Sequence, residues 1–258
     1  MLLNNNNYLH LGWCIRNVAD APFYLMSEKK RGDEMTGIKS LLGMEVDIEI
    51  SGKTLFSGIL IDVGLDILVL FNGTQYLYIP LLHLHNIQER ELKHGDELTE
   101  QPTGKMPLQN EKETISYRKI LTNAKGQFLE IFVTGNKSIH GYITSVLNDY
   151  IVFYSPVYKT VFISMQHLKW LIPYSSKLTP YTLSNAVLPV VPSSIPLARS
   201  FEEQLKKYEG KLLVFDLGDN PNKIGLISSI TNNIVELITA GGETIFWKLM
   251  HLKSVHIP

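Results

Sequence analysis

The sequence predicts an all-β protein built from three tandem copies of one small five-stranded barrel, with short helices where the barrels begin. Three observations carry that expectation. Glycine pairs fifteen residues apart recur at Gly43/Gly58, Gly126/Gly141 and Gly210/Gly225. A His-Leu dipeptide follows in each copy, at His83-Leu84, His167-Leu168 and His251-Leu252. The copies are offset by 83 and then 84 residues, and self-similarity at a fixed period is the signature of a repeat architecture.

Within each copy the strands follow in the same order. Residues 44–50 alternate apolar and acidic side chains, the period of a half-buried strand. Turn residues then break the pattern: Ser51-Gly52-Lys53, Thr134-Gly135-Asn136 and Gly218-Asp219-Asn220-Pro221-Asn222. A second strand over 55–63, 139–147 and 224–230 carries the recurring glycine. Glycine inside a strand marks a bulge or a tight bend. The third strand is the most apolar (67–71, 150–154, 234–239), and the fourth spans 76–79, 160–163 and 244–247. A helical turn at the His-Leu dipeptide leads to a very short fifth strand (86–87, 170–171, 254–255). Five such strands closing on themselves make a small SH3-like or Sm-like barrel, and closure removes edges that would otherwise pair promiscuously. A domain of about 60 residues buries only about 60% of its unfolded surface, so three in one chain are expected to pack together.

The expected organisation is an N-terminal arm over 1–37, barrel repeat 1 over 38–90, a polar linker over 91–118, repeat 2 over 119–173, a Pro-rich linker over 174–199 and repeat 3 over 200–258. Pro180, Pro189, Pro192 and Pro196 favour an extended, semi-rigid second linker. Residues 38–42 and 201–208 read as short helices. Glu202 and Glu203 lie in the first turn of the latter, where the helix dipole favours them.

Composition narrows the function classes. Lys+Arg is 24 and Asp+Glu is 25, for a net charge of −1. A broad nucleic-acid surface needs a surplus of cations, and so does attachment to an anionic membrane. The single cysteine, Cys14, excludes an intrachain disulfide and a cysteine zinc site. No apolar run reaches the length of a spanning helix. The first cation, Arg16, is followed by no apolar core, so no secretory signal is expected.

Candidate chemistry is sparse. His83, His167 and His251 could share a metal only on a pseudo-threefold axis. Their recurrence once per copy assigns each instead to the turn before the last strand of its own barrel. Cys14 has no base nearby in sequence beyond His10, whereas a catalytic thiol needs one. Asp62 and Asp66 correspond to Ser145 and Asp149, then to Ser229 and Asn233, a change that acid–base catalysis would not tolerate. No phosphate-binding or dinucleotide fingerprint appears. No catalytic, cofactor or metal residue is assigned. Gly43, Gly58, His83, Gly126, Gly141, His167, Gly210, Gly225 and His251 are read as repeat-defining structural positions.

Two resemblances follow. The stretch Gly58 to Asp66 resembles the first motif of Sm-like RNA-binding proteins, although His-Leu stands where their second motif has Ile-Arg-Gly. Three tandem barrels ending in His251-Leu252-Lys253-Ser254-Val255, and more loosely in His167-Leu168-Lys169-Trp170-Leu171 and His83-Leu84-His85-Asn86-Ile87, resemble the spore coat protein B family of endospore-forming bacilli. The second resemblance covers about residues 38–258. It implies a non-enzymatic component of the outer spore coat, made in the mother-cell cytoplasm. Its expected partners are other coat proteins and itself, with no cofactor, membrane, nucleic acid or small-molecule substrate. The family's Ser-rich phosphorylated tail has no counterpart before Pro258, so that modification is not carried over. The first resemblance leaves Sm-like RNA binding as the alternative function.

Overall fold

The computed structural model describes residues 37–91, 99–102, 104, 106–109, 114–133, 138–175, 180–182 and 196–258. The chain divides between Gly37 and Ile38, and the fold is that of the described residues from 38 to 258. His10, Cys14, His94, the Thr134-Gly135-Asn136 turn, Pro189 and Pro192 lie outside the described residues.

The strands fall into three modules of five. The first holds β1 (Glu45–Ile50), β2 (Thr54–Val63), β3 (Ile67–Phe71), β4 (Tyr76–Pro80) and β5 (Leu84–Glu89). The second holds β6 (Phe128–Phe132), β7 (Ser138–Val146), β8 (Tyr150–Ser155), β9 (Lys159–Ser164) and β10 (Trp170–Pro173). The third holds β11 (Leu212–Phe215), β12 (Ile224–Thr231), β13 (Ile234–Ile238), β14 (Thr244–Lys248) and β15 (Ser254–His256).

The repeat extends to backbone detail. Gly58, Gly141 and Gly225 face Val46, Leu129 and Leu213 at the same point of each first hairpin. A register shift follows in each second strand, after Leu60, Ile143 and Ile227. A Cβ at these three glycines would land on the carbonyl oxygen of Phe71, Tyr154 and Ile238, so only glycine lets the bent strands approach. Gly43, Gly126 and Gly210 serve a different purpose. Their φ angles of 78°, 75° and 76° lie in the left-handed region, which glycine enters without steric cost. Each then donates its N–H to the same repeat position, the carbonyls of Leu60, Ile143 and Ile227.

The expectation of three separately closed barrels is corrected. Each module orders its strands fourth, third, second, first, fifth, and its fourth strand does not pair with its own fifth. The fourth strand pairs with the fifth strand of the next module: β4 with β10, and β9 with β15. All fifteen strands therefore belong to one antiparallel sheet running from β14 to β5. The physical reason is that an unpaired strand edge is satisfied as well by a neighbour as by closure. Pairing with a neighbour also lets small modules share a core that each alone would build poorly.

Two short helices precede modules two and three: α1 (Tyr117–Asn123) and α2 (Phe201–Lys206). Both start at a serine N-cap, where Ser116 accepts from the Lys119 amide and Ser200 from the Glu203 amide. Helix α1 crosses the expected linker boundary, and α2 is shorter than the expected 201–208. Of residues 38–42, only 38 and 39 are helical. The fifth strand of module one is longer than expected, at six residues. Leu108 and Ile115, inside the segment read as a linker, are buried in the core. Among the described residues no helix is long and apolar enough to cross a membrane.

Candidate interaction interface

The cores do not coincide with the modules. One cluster joins the second module to Ile67, Val69 and Tyr78 of the first. The other joins the third module to Tyr150, Val152 and Phe162 of the second. The third and fourth strands of modules one and two thus supply side chains to the core of the module that follows. That explains why β3 and most of β8 are buried on both faces, as expected for a strand covered on both sides.

The two seams use the same contacts. At the sheet edge, Tyr78 of β4 stands opposite Leu171 of β10, and Phe162 of β9 stands opposite Val255 of β15. Tyr78 and Phe162 are 0% and 1% exposed. Phe162 packs 5.7 Å from the Tyr208 ring and 6.2 Å from that of Tyr150. The Tyr78 hydroxyl accepts the Leu108 amide at 3.2 Å, and burial raises its pKa.

The turn after each second strand forms the next contact. Asp66 accepts the Tyr117 amide at 2.6 Å, and Asp149 accepts the Phe201 amide at 2.9 Å. Each carboxylate thereby satisfies one of the orphan N–H groups at the first turn of the following module's helix. Leu65 donates its N–H to the Ile115 carbonyl, and Asn148 donates to that of Arg199. The aspartate is therefore a fastener between modules, not merely a residue of its own turn.

The histidines also reach across. His167 Nε2 lies 2.8 Å from the Met250 carbonyl; a carbonyl only accepts, so Nε2 carries the proton. His83 lies 3.1 Å through Nδ1 from Ser51 Oγ. Its Nε2 is buried with no hydrogen-bond partner among the described residues. Burial, with Lys169 and His167 nearby, lowers the His83 pKa to about 4. Burial also lowers that of His167, opposed by the Met250 carbonyl. The expectation that each histidine serves the turn of its own barrel is thus corrected for His167, whose ring bonds the next module, whereas His83 bonds Ser51 of its own module. Lys169 adds a further tie, donating from Nζ to the Ser51 carbonyl at 2.8 Å.

Both ends of the sheet display the same positions without a neighbour among the described residues. Phe246 is the third-module equivalent of Tyr78 and Phe162, yet it is 65% exposed. Asn233, standing where Asp66 and Asp149 stand, is exposed, and so is His251. At the other end, β5 is half-buried or exposed along its whole length, whereas its counterpart β10 is buried throughout. Leu82, Leu42 and Met44 are exposed beside it.

The remaining predicted positions carry no chemistry. Asp62 accepts the Val63 amide and the Gln109 side chain, and among the described residues no three His, Cys, Asp or Glu side chains gather as a metal site. The sequence pattern does not mark Tyr78, Phe162 and Phe246 as seam residues. The one signal that points to them is the third strand: Ile67–Phe71 and Tyr150–Tyr154 are apolar throughout, whereas Glu236 breaks the third copy.

These features define a three-module all-β repeat protein held together by one seam used twice. A family model described as the YwrJ third domain matches residues 200–255, from just ahead of α2 into β15. The uncharacterized protein YwrJ of Bacillus subtilis (strain 168) is 54% identical over 228 residues, covering 87% of this chain and 100% of that protein. The chain belongs to the YwrJ family.

Proposed function

We propose that this chain is a non-enzymatic structural or assembly protein of the outer bacterial spore coat, acting through protein–protein contacts of its three modules. The observation that carries the reading is the doubled seam, whose two outer ends have no neighbour among the described residues. The chain builds the same side-by-side contact at β4–β10 and β9–β15, and leaves both halves of that contact exposed at the two ends of the sheet. A protein whose repeated element is a lateral docking device is suited to joining other proteins. The triplicated modules and the His-Leu-Lys-Ser-Val ending add the spore coat protein B resemblance. A net charge near zero lowers the colloidal barrier to assembly.

A fluorescent fusion expressed from its own promoter tests this. The fusion is expected to leave the mother-cell cytoplasm for the forespore surface and to co-purify with coat extracts. A signal that stays dispersed in the cytoplasm throughout sporulation overturns the proposal. The alternative, Sm-like RNA binding, predicts oligonucleotide retention that falls steeply with salt; no retention at low salt removes it.

A further inference from the structure

We infer that a second copy of this chain docks head-to-tail on the first, its β5 pairing with β14 as β10 pairs with β4 and β15 with β9. The inference rests on the assembly reading above and names the partner. Its basis is the match between the two edges that have no strand partner among the described residues. One is a fourth strand, and both other fourth strands pair with a fifth strand. The other is a fifth strand, and both other fifth strands pair with a fourth. A second copy of the chain offers both of these shapes at once.

The repeat period sets the register. Ser254, Val255 and His256 face Ile163, Phe162 and Val161. Moved by one period on one side and two on the other, Asn86, Ile87 and Gln88 face Trp247, Phe246 and Ile245. Phe246 then enters the position that Tyr78 and Phe162 occupy, against the half-buried Ile38 and Leu41, the repeat equivalents of the Leu205 and Tyr208 that share a core with Phe162. His251 meets the Leu82 carbonyl, as His167 meets that of Met250. Glu236 stands where Val69 and Val152 pack, and it bonds Ser229 at 2.8 Å. One buried position of the internal seams is therefore polar here, which makes this contact weaker and reversible. Head-to-tail contacts close into a ring when the rotation per copy divides a full turn, and otherwise run on as a filament.

Sedimentation velocity of the full-length chain, from dilute solution to about 100 µM, tests the inference. Species larger than a monomer are expected to grow with concentration. Phe246→Asp changes an exposed side chain and leaves the fold intact; it is expected to raise the dissociation constant about 30-fold or more, as for a central interface anchor. Ile87→Asp blocks the other edge. Each variant alone is expected to stay monomeric, and an equimolar mixture to form a dimer and nothing larger, because one intact edge remains on each. If Ile87→Asp does not fold, Phe246→Asp decides alone. A wild-type chain that stays monomeric overturns the inference, as does assembly that Phe246→Asp leaves unchanged. The spore proposal fails separately: a monomer in solution whose fusion still reaches the coat refutes only the head-to-tail contact.

Discussion

Phe162 and Phe246 occupy one repeat position in two environments, and truncating each to alanine separates the seam from the module. Phe162 is 1% exposed and lies between the Tyr150 and Tyr208 rings in the core shared by modules two and three. Removing a buried phenyl ring costs its transfer free energy and leaves a cavity, about 3–5 kcal/mol in sum. Phe246 is 65% exposed, so only about a third of the 1.5–3 kcal/mol available from burying such a side chain is at stake, below about 1 kcal/mol. The loss of strand propensity on Phe→Ala is common to both and cancels in the comparison. Urea unfolding followed by far-UV circular dichroism, at about 1 µM to suppress association, is expected to show Phe162→Ala destabilised by at least about 2 kcal/mol more than Phe246→Ala. Costs within about 1 kcal/mol of each other would refute the reasoning, because the seam would then not bury what it is argued to bury.

Three further outcomes follow from the same contacts. The pKa of His83 is about 4 in the folded chain against about 6.5 unfolded, so the unfolded state binds more protons between those values and stability falls as the pH is lowered there. That contribution, on the order of 1–2 kcal/mol after discounting for screening, is present above about pH 6.5 and lost below about 4. Melting temperatures across this range are expected to drop, and less steeply in His83→Gln; an equal slope in both counts against the assignment. Asp149→Ala removes the acceptor of the Phe201 amide and is expected to cost about 1–2 kcal/mol, while Asn233→Gly at the exposed equivalent, which keeps the left-handed φ of 60° without strain, is neutral in the monomer; equal effects in denaturation would contradict the fastener role. Gly141→Ala drives a Cβ onto the Tyr154 carbonyl and the Phe153 ring and is expected to cost about 3 kcal/mol, so a melting temperature unchanged from wild type would show that the bent strands can separate.

Much of the local structure was legible along the chain. The alternation Glu45 to Ile50, the glycine pairs and the turn residues mark the strands and their order, because strand period and backbone steric limits act over a few residues. The spacing of the glycines also located the bulged second strands, and the His-Leu dipeptides located a helical turn in every copy. Helix α1 escaped because its start lies in a polar stretch, where a single serine cap is a weak local signal beside the surrounding charges. The mutual covering of the modules escaped because strand 4 of one copy and strand 5 of the next are separated by about ninety residues of sequence, with no residue type that encodes their pairing. An unpaired edge accepts any strand of compatible geometry. The sequence by itself therefore determined that three alike five-stranded modules form. Only the tertiary structure decided that they join edge to edge rather than close, that Asp66, Asp149 and His167 bridge the joins, and that Phe246 and β5 stand open at the ends.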